Sequence, residues 1–172
     1  MNIYLKSFLY LAIFSVLHFG YDLTHWAFLT PFCGINESVF QHLKMAFWAY
    51  LLTNLLEYFV IRGKKISKRI LFWYSRILST IILPWFTMLI WYLVPAIFGR
   101  IEFLPLEVLW AILSTYFSAV IAGIMEKNIE ECKMNLIFKI VILILFIISA
   151  FLYVWFTYKP PWIDLFINPE VL

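Results

Sequence analysis

Five long apolar stretches, parted by short polar turns, constrain this chain more than any other feature. They run over about residues 3–28, 38–61, 77–98, 106–125 and 134–158, with a tail over 159–172. A helix of roughly 20 apolar residues crosses the ~30 Å hydrocarbon core of a bilayer. The pattern therefore predicts an all-α fold: a polytopic integral membrane helical bundle of five transmembrane helices in a single domain. Composition agrees. The 172 residues are 65% hydrophobic and 13% charged, against about 25% charged in soluble domains. That leaves too little polar surface for a water-soluble globule. No basic stripe with interleaved aromatics lies outside a membrane context, so nucleic acid is not an expected partner. The expected partners are membrane lipids, a second copy of the chain or another membrane protein. Without a CxxC pair, Cys33 and Cys132 do not suggest a dithiol redox enzyme.

Lys and Arg placement sets the expected orientation. Arg62, Lys64, Lys65, Lys68 and Arg69 fall between the second and third stretches, and Lys127 and Lys133 between the fourth and fifth. Both turns belong on the cytoplasmic side, which gives N-in, C-out. Arg76 suggests that the start of the third apolar segment lies in the interface, with the crossing beginning near Ile77 and Pro84 kinking it. Ser114, Ser118 and Ala122 form a small-residue stripe suited to close helix packing.

All three histidines then fall toward the outer ends of the first two helices, where the chain runs Thr30-Pro31-Phe32-Cys33-Gly34-Ile35-Asn36-Glu37-Ser38-Val39-Phe40-Gln41-His42-Leu43-Lys44. Polar groups at membrane depth are costly and mark a pathway or a site. On the first helix His18, Asp22 and His25 are spaced i, i+4, i+7 and share one face. They read as a metal half-site or a proton relay; His25 reads more simply as an interfacial residue in water. On the second helix, with Glu37 at 0°, Gln41 lies near ~40°, Ser38 near ~100°, His42 near ~140° and Lys44 near ~340°. A same-helix HExxH site is therefore excluded, and a metal site needs ligands from both helices.

The candidate catalytic residues are His18, Asp22, Glu37 and His42. The candidate metal ligands are His18, Asp22 and His42, for a divalent ion such as zinc. The candidate substrate-binding residues are Lys44, Gln41, Asn36 and Asp164, with Lys44 holding an anionic headgroup. Capping alone accounts for Asn36, Ser38 and Gln41, as Ser38-x-x-Gln41 is a capping-box pattern. It does not account for His42 and Lys44. The tail either folds back over the outer opening as a lid, bringing Asp164 near the first two helices, or lies as a simple interfacial strap.

The run from Asn36 to Lys44 resembles the signature of an uncharacterised family of small prokaryotic membrane proteins: NESV, an aromatic, then EHLK. Leu17-His18-Phe19-Gly20-Tyr21-Asp22 is similar to that family's first-helix motif, and Pro160-Pro161-Trp162-Ile163-Asp164-Leu165-Phe166 to its PP…LF ending. Gln41 stands where the family has Glu, which puts an acid–base role at this position in doubt. The tail stops at Leu172, without the family's Gly/Tyr-rich ending. The resemblance implies a multi-pass protein of a prokaryotic cytoplasmic membrane, and no assigned activity. Three functions remain open on the sequence: a membrane-embedded enzyme acting on a lipid or amphiphile, a transporter or solute-binding subunit, and a non-catalytic assembly subunit.

Overall fold

The computed structural model describes residues 1–61 and 69–169. Among them are five long helices and no strand: α1 (Ile3–Thr24), α2 (Val39–Ile61), α3 (Arg69–Phe98), α4 (Leu104–Glu131) and α5 (Leu136–Tyr158). Two single-turn 3-10 segments, Ala27–Leu29 and Asp164–Phe166, lie after α1 and in the tail. α1 packs on α2 and α4, and α3 packs on both of these as well, so four helices close a ring. α5 leans on α3 from outside, and its residue Tyr153 packs with Phe40 and Phe47 of α2.

Four helices (α1, α3, α4 and α5) are long and apolar enough to cross a membrane by length and composition. α2, expected as a fifth crossing, falls short on apolarity rather than on length, because it carries Gln41, His42, Lys44, Asn54 and Glu57. Burial explains how it tolerates them. Met45, Ala46, Phe47, Ala49 and Tyr50 are at most 1% exposed, and α2 is the inner helix of the group. α5 is the opposite case, with apolar side chains such as Ile137, Ile147 and Phe151 exposed along its length.

The helix ends differ from the apolar stretches in instructive ways. The first stretch was expected to run to Phe28, but α1 stops at Thr24. His25 takes a left-handed conformation (φ 54°), and its N–H bonds Tyr21 O. Asn135 opens α5 by accepting from Phe138 N at 2.8 Å. α3 is continuous through residues 69–98, so its first turns are not a separate segment. Arg76 does not reach for an interface; it is buried in the bundle. Pro95 has no N–H to give Trp91 O four residues back, and the indole of Trp110 donates to that carbonyl instead at 2.9 Å. The defect thus becomes a tie between α3 and α4. A Cβ at Gly123 of α4 would stand 2.9 Å from Ile3 Cγ2, so a larger residue there would have to displace the Ile3 side chain of α1. Ser114, Ser118 and Ala122, the expected stripe, are all buried. Gly63 and the basic residues at 62–68 lie outside the described residues, as does Glu170.

At one end of the ring lies a buried ion cluster. Lys6 of α1 reaches Glu57 of α2 at 2.7 Å and Glu126 of α4 at 2.5 Å. Arg76 of α3 pairs with Glu57 at 3.3 Å, with Glu126 at 3.7 Å and with Glu130. The Tyr50 hydroxyl donates to Glu126 at 2.9 Å. Asn54 of α2 donates to Thr80 Oγ1 of α3 at 3.1 Å. Interhelical polar contacts average ~0.6 kcal/mol in lipid, but breaking a buried ion pair costs far more, because a charge is left without a partner.

Candidate functional site

The opposite end of the ring holds the second polar group. The turn after α1 returns against that helix: Gly34 N–H bonds Leu17 O at 3.2 Å. A Cβ on Gly34 would stand 2.9 Å from Met45 Sδ, so glycine lets the turn lie this close. The turn then places Glu37 over α1 just before α2 begins. Asn36 Oδ1 accepts from Ser38 N at 3.0 Å, and Ser38 Oγ accepts from Gln41 N at 3.4 Å. The capping box is thus half formed. Its return bond is replaced by Asn36, and Gln41 Oε1 is left buried without a hydrogen-bond partner among the described residues.

Three side chains converge here from two helices and the turn. Glu37 Oε2 lies 3.6 Å from His18 Nε2 and 3.4 Å from His42 Nε2. One ligand atom from each residue falls within 4.8 Å of the other two. The His18 and His42 rings are 5.4 Å apart. At 3.4–3.6 Å the carboxylate–imidazole contacts are charge contacts, longer than a strong hydrogen bond. They match a different length. Two ligands about 2.05 Å from one tetrahedral ion are about 3.3–3.4 Å apart.

His42 is also prepared for such a role. Its Nδ1 lies 3.0 Å from Ser38 O. A carbonyl only accepts, so Nδ1 carries the proton, and Nε2, the ring nitrogen facing Glu37, is the one left to meet a metal ion. Metal-bound histidines are commonly oriented in this way. Glu37 lies outside the helices. The His18 imidazole first, and then His42, holds its carboxyl below the usual carboxylate range. The group stays ionised, as a ligand must.

A cavity of about 180 Å³ opens beside this trio, lined by His18, Asp22, Asn36, Glu37 and Asn168, with Gly34, Ile35 and Met45 as its floor. His18, Asp22, Glu37 and Asn36, all expected at the site, are therefore together, and His42 joins them through Glu37. Other expected residues are placed elsewhere. Asp164 is exposed in the tail and does not line the cavity. The tail does fold back, but it docks through Phe166, whose ring lies 4.5 Å from that of Phe40, and it delivers Asn168 instead. No motif in the sequence flagged Asn168. Lys44 was expected to snorkel to a headgroup. It is fully buried, with its amine donating to Thr30 O at 2.8 Å and to Thr157 Oγ1 at 3.3 Å. It joins the turn to the end of α5. His25 is exposed at the α1 cap and lies outside the trio.

Cys33 and Cys132 are both free. Over residues 2–170 the sequence matches the model of a family described as a family of unknown function, DUF6512. No curated protein and no solved structure matches the chain.

Proposed function

The chain belongs to that family of unknown function, DUF6512, and we propose that it is a membrane-embedded, metal-dependent enzyme acting on a lipid or another amphiphile. His18, Glu37 and His42 hold the ion, a divalent metal of the zinc type, and Asp22 stands at the cavity as a fourth ligand or a general base. α2 crosses the membrane with the other four helices, giving five crossings, N-in and C-out, and the cavity opens at the outer face. The observation that carries this reading is the meeting of two imidazoles and one ionised carboxylate within 4.8 Å, beside a cavity that can admit water and substrate. A bound divalent ion would polarise a carbonyl or generate a hydroxide nucleophile near neutral pH. Asn36 orients the entry of α2 and with it Glu37, and Lys44 ties the turn at Thr30 to the end of α5.

The test is elemental analysis of the protein purified in mild detergent, beside the His18→Ala/His42→Ala double variant. Near-stoichiometric metal in the wild type that disappears in the variant supports the reading. Equal metal in both, or metal-free wild type that takes up none on zinc titration, overturns it.

A further inference from the structure

The cavity's lining has a one-sided chemistry that bears on what enters it. Asp22 and Glu37 bring two carboxylates, Asn36 and Asn168 two carboxamides, and His18 an imidazole; among the described lining residues there is no Lys or Arg. Lys44, the cation closest along α2, is fully buried and commits its amine to Thr30 O and Thr157 Oγ1. The two acids outnumber the one imidazole of the lining, and one divalent ion would offset their charge. An incoming phosphate would find the metal but no second cation. Sites that recognise phosphate rely on Arg or Lys beside it.

Size adds a second limit. A volume of about 180 Å³ equals about six water volumes, which accommodates a small polar head and leaves out an acyl chain. The ground for the chain is the surface around the mouth. Phe19 is exposed with its ring 4.9 Å from that of His18, Leu23 follows Asp22 and is 82% exposed, and Ile167 precedes Asn168 and is also exposed. Asn36 commits its oxygen to Ser38 N–H, so the group it can offer a ligand is the amide nitrogen, a donor suited to a hydroxyl or carbonyl oxygen.

We propose that the cavity binds the uncharged polar head of an amphiphile (an alcohol, ester or amide), with its apolar chain lying outside over Phe19, Leu23 and Ile167. The substrate class is neutral lipid rather than phosphate-bearing lipid. This specifies the substrate of the enzyme proposed above, but the charge argument holds with or without the metal.

The experiment is native mass spectrometry of the full chain in neutral detergent, zinc-loaded and metal-free, with 1-monooleoylglycerol, 1-oleoyl-lysophosphatidate and free glycerol as probes. Monooleoylglycerol is expected to bind one per chain, at least tenfold tighter than lysophosphatidate in the zinc-loaded protein and by a wider margin in the metal-free protein. Glycerol, without the chain, is expected to bind at least 100-fold more weakly. Asn36→Ala and Asn168→Ala should each weaken monooleoylglycerol three- to tenfold at unchanged metal content, and Phe19→Ser should weaken it by a similar factor without altering glycerol binding. Equal or tighter lysophosphatidate, or equal glycerol, overturns the proposal. Zinc content is read from the same spectra, so a chain that binds no metal yet prefers the neutral lipid refutes the metalloenzyme alone.

Discussion

The two polar ends of the bundle use similar residue types for opposite ends. At one end Lys6, Glu57, Arg76 and Glu126 are all at most 6% exposed and face each other at 2.5–3.7 Å. Each charge has an opposite partner, and four helices contribute. At the other end His18, Glu37 and His42 are 21%, 39% and 35% exposed, with contacts of 3.4–3.6 Å and a cavity alongside. The first group is closed and satisfied, as a structural lock is. The second is partly exposed, with longer contacts and a cavity beside it. Charge buried without a partner is costly, so the first cannot be loosened cheaply, whereas the second can lose a side chain and leave the fold standing.

The largest effect that tests this contrast is expected at the lock. Glu57→Ala strands Lys6 and Arg76 on the Glu126 side, and should cost about 3–5 kcal/mol, the usual consequence of removing one partner of a buried pair. Thermal unfolding in detergent measures it. A loss below about 1 kcal/mol would mean that the cluster is hydrated and that the contrast is misplaced. His42→Ala should do the reverse, lowering metal affinity by at least 100-fold and abolishing activity while changing stability by less than about 1 kcal/mol, because the ring is a third exposed and the Ser38 carbonyl keeps the backbone N–H groups of Gln41 and His42 as donors. If this variant unfolds like Glu57→Ala, the two ends are not distinct in kind.

The contrast was only half legible in the sequence. The need for ligands from two helices followed from angular placement, but that placement also set Glu37 and His42 apart; Glu37 in fact precedes α2 in the turn, and its carboxylate lies 3.4 Å from His42 Nε2. The lock was illegible because its members are 51 and 120 residues apart, Lys6 from Glu57 and Lys6 from Glu126, with no local pattern to link them. Lys6 reads as a lone basic residue near the start, and Arg76 as an interfacial one. Lys44 misled for a related reason. Helical position tells how deep a side chain starts, but not which neighbour receives its amine; here that neighbour is a turn carbonyl and a hydroxyl on α5. The helices themselves were legible because apolar length is a local property, while their ends were displaced wherever a cap such as His25 or Asn135 intervened.

A middle-sized effect separates the helix ties from both polar ends. Trp110→Phe removes the indole donor to Trp91 O and keeps most of the ring, so about 0.5–1.5 kcal/mol should be lost with metal content unchanged. No loss would mean that another donor replaces the indole at that carbonyl.

The open end should also respond to pH. Glu37 is held below the ordinary carboxylate range by His18 and His42. A depressed carboxylate contributes stability that is present above its unfolded value, about pH 4.3, and is lost as the pH falls toward the folded value. Metal-free wild type should therefore lose midpoint temperature below about pH 4–5, and Glu37→Gln should flatten that slope. An unchanged slope in Glu37→Gln would assign the acid sensitivity to the carboxylates of the lock.

The smallest expected effect lies just outside the site, and it decides whether the α1 face acts as a whole. His25 shares the i, i+7 line with His18, yet its backbone is left-handed at φ 54° and its side chain is exposed. A non-glycine residue there carries about 1 kcal/mol of steric cost, which glycine removes at the expense of a more flexible unfolded chain. His25→Gly should thus be neutral to mildly stabilising, within about 0.5–1 kcal/mol, and should keep full metal content and activity. The carboxylate, two imidazoles and Asp22 would then suffice for the site, with His25 serving as the residue that turns the chain from α1 toward Glu37. Loss of metal in His25→Gly would instead bring the imidazole over the cavity mouth as a ligand, and the boundary between site and cap would have to move by one helical turn.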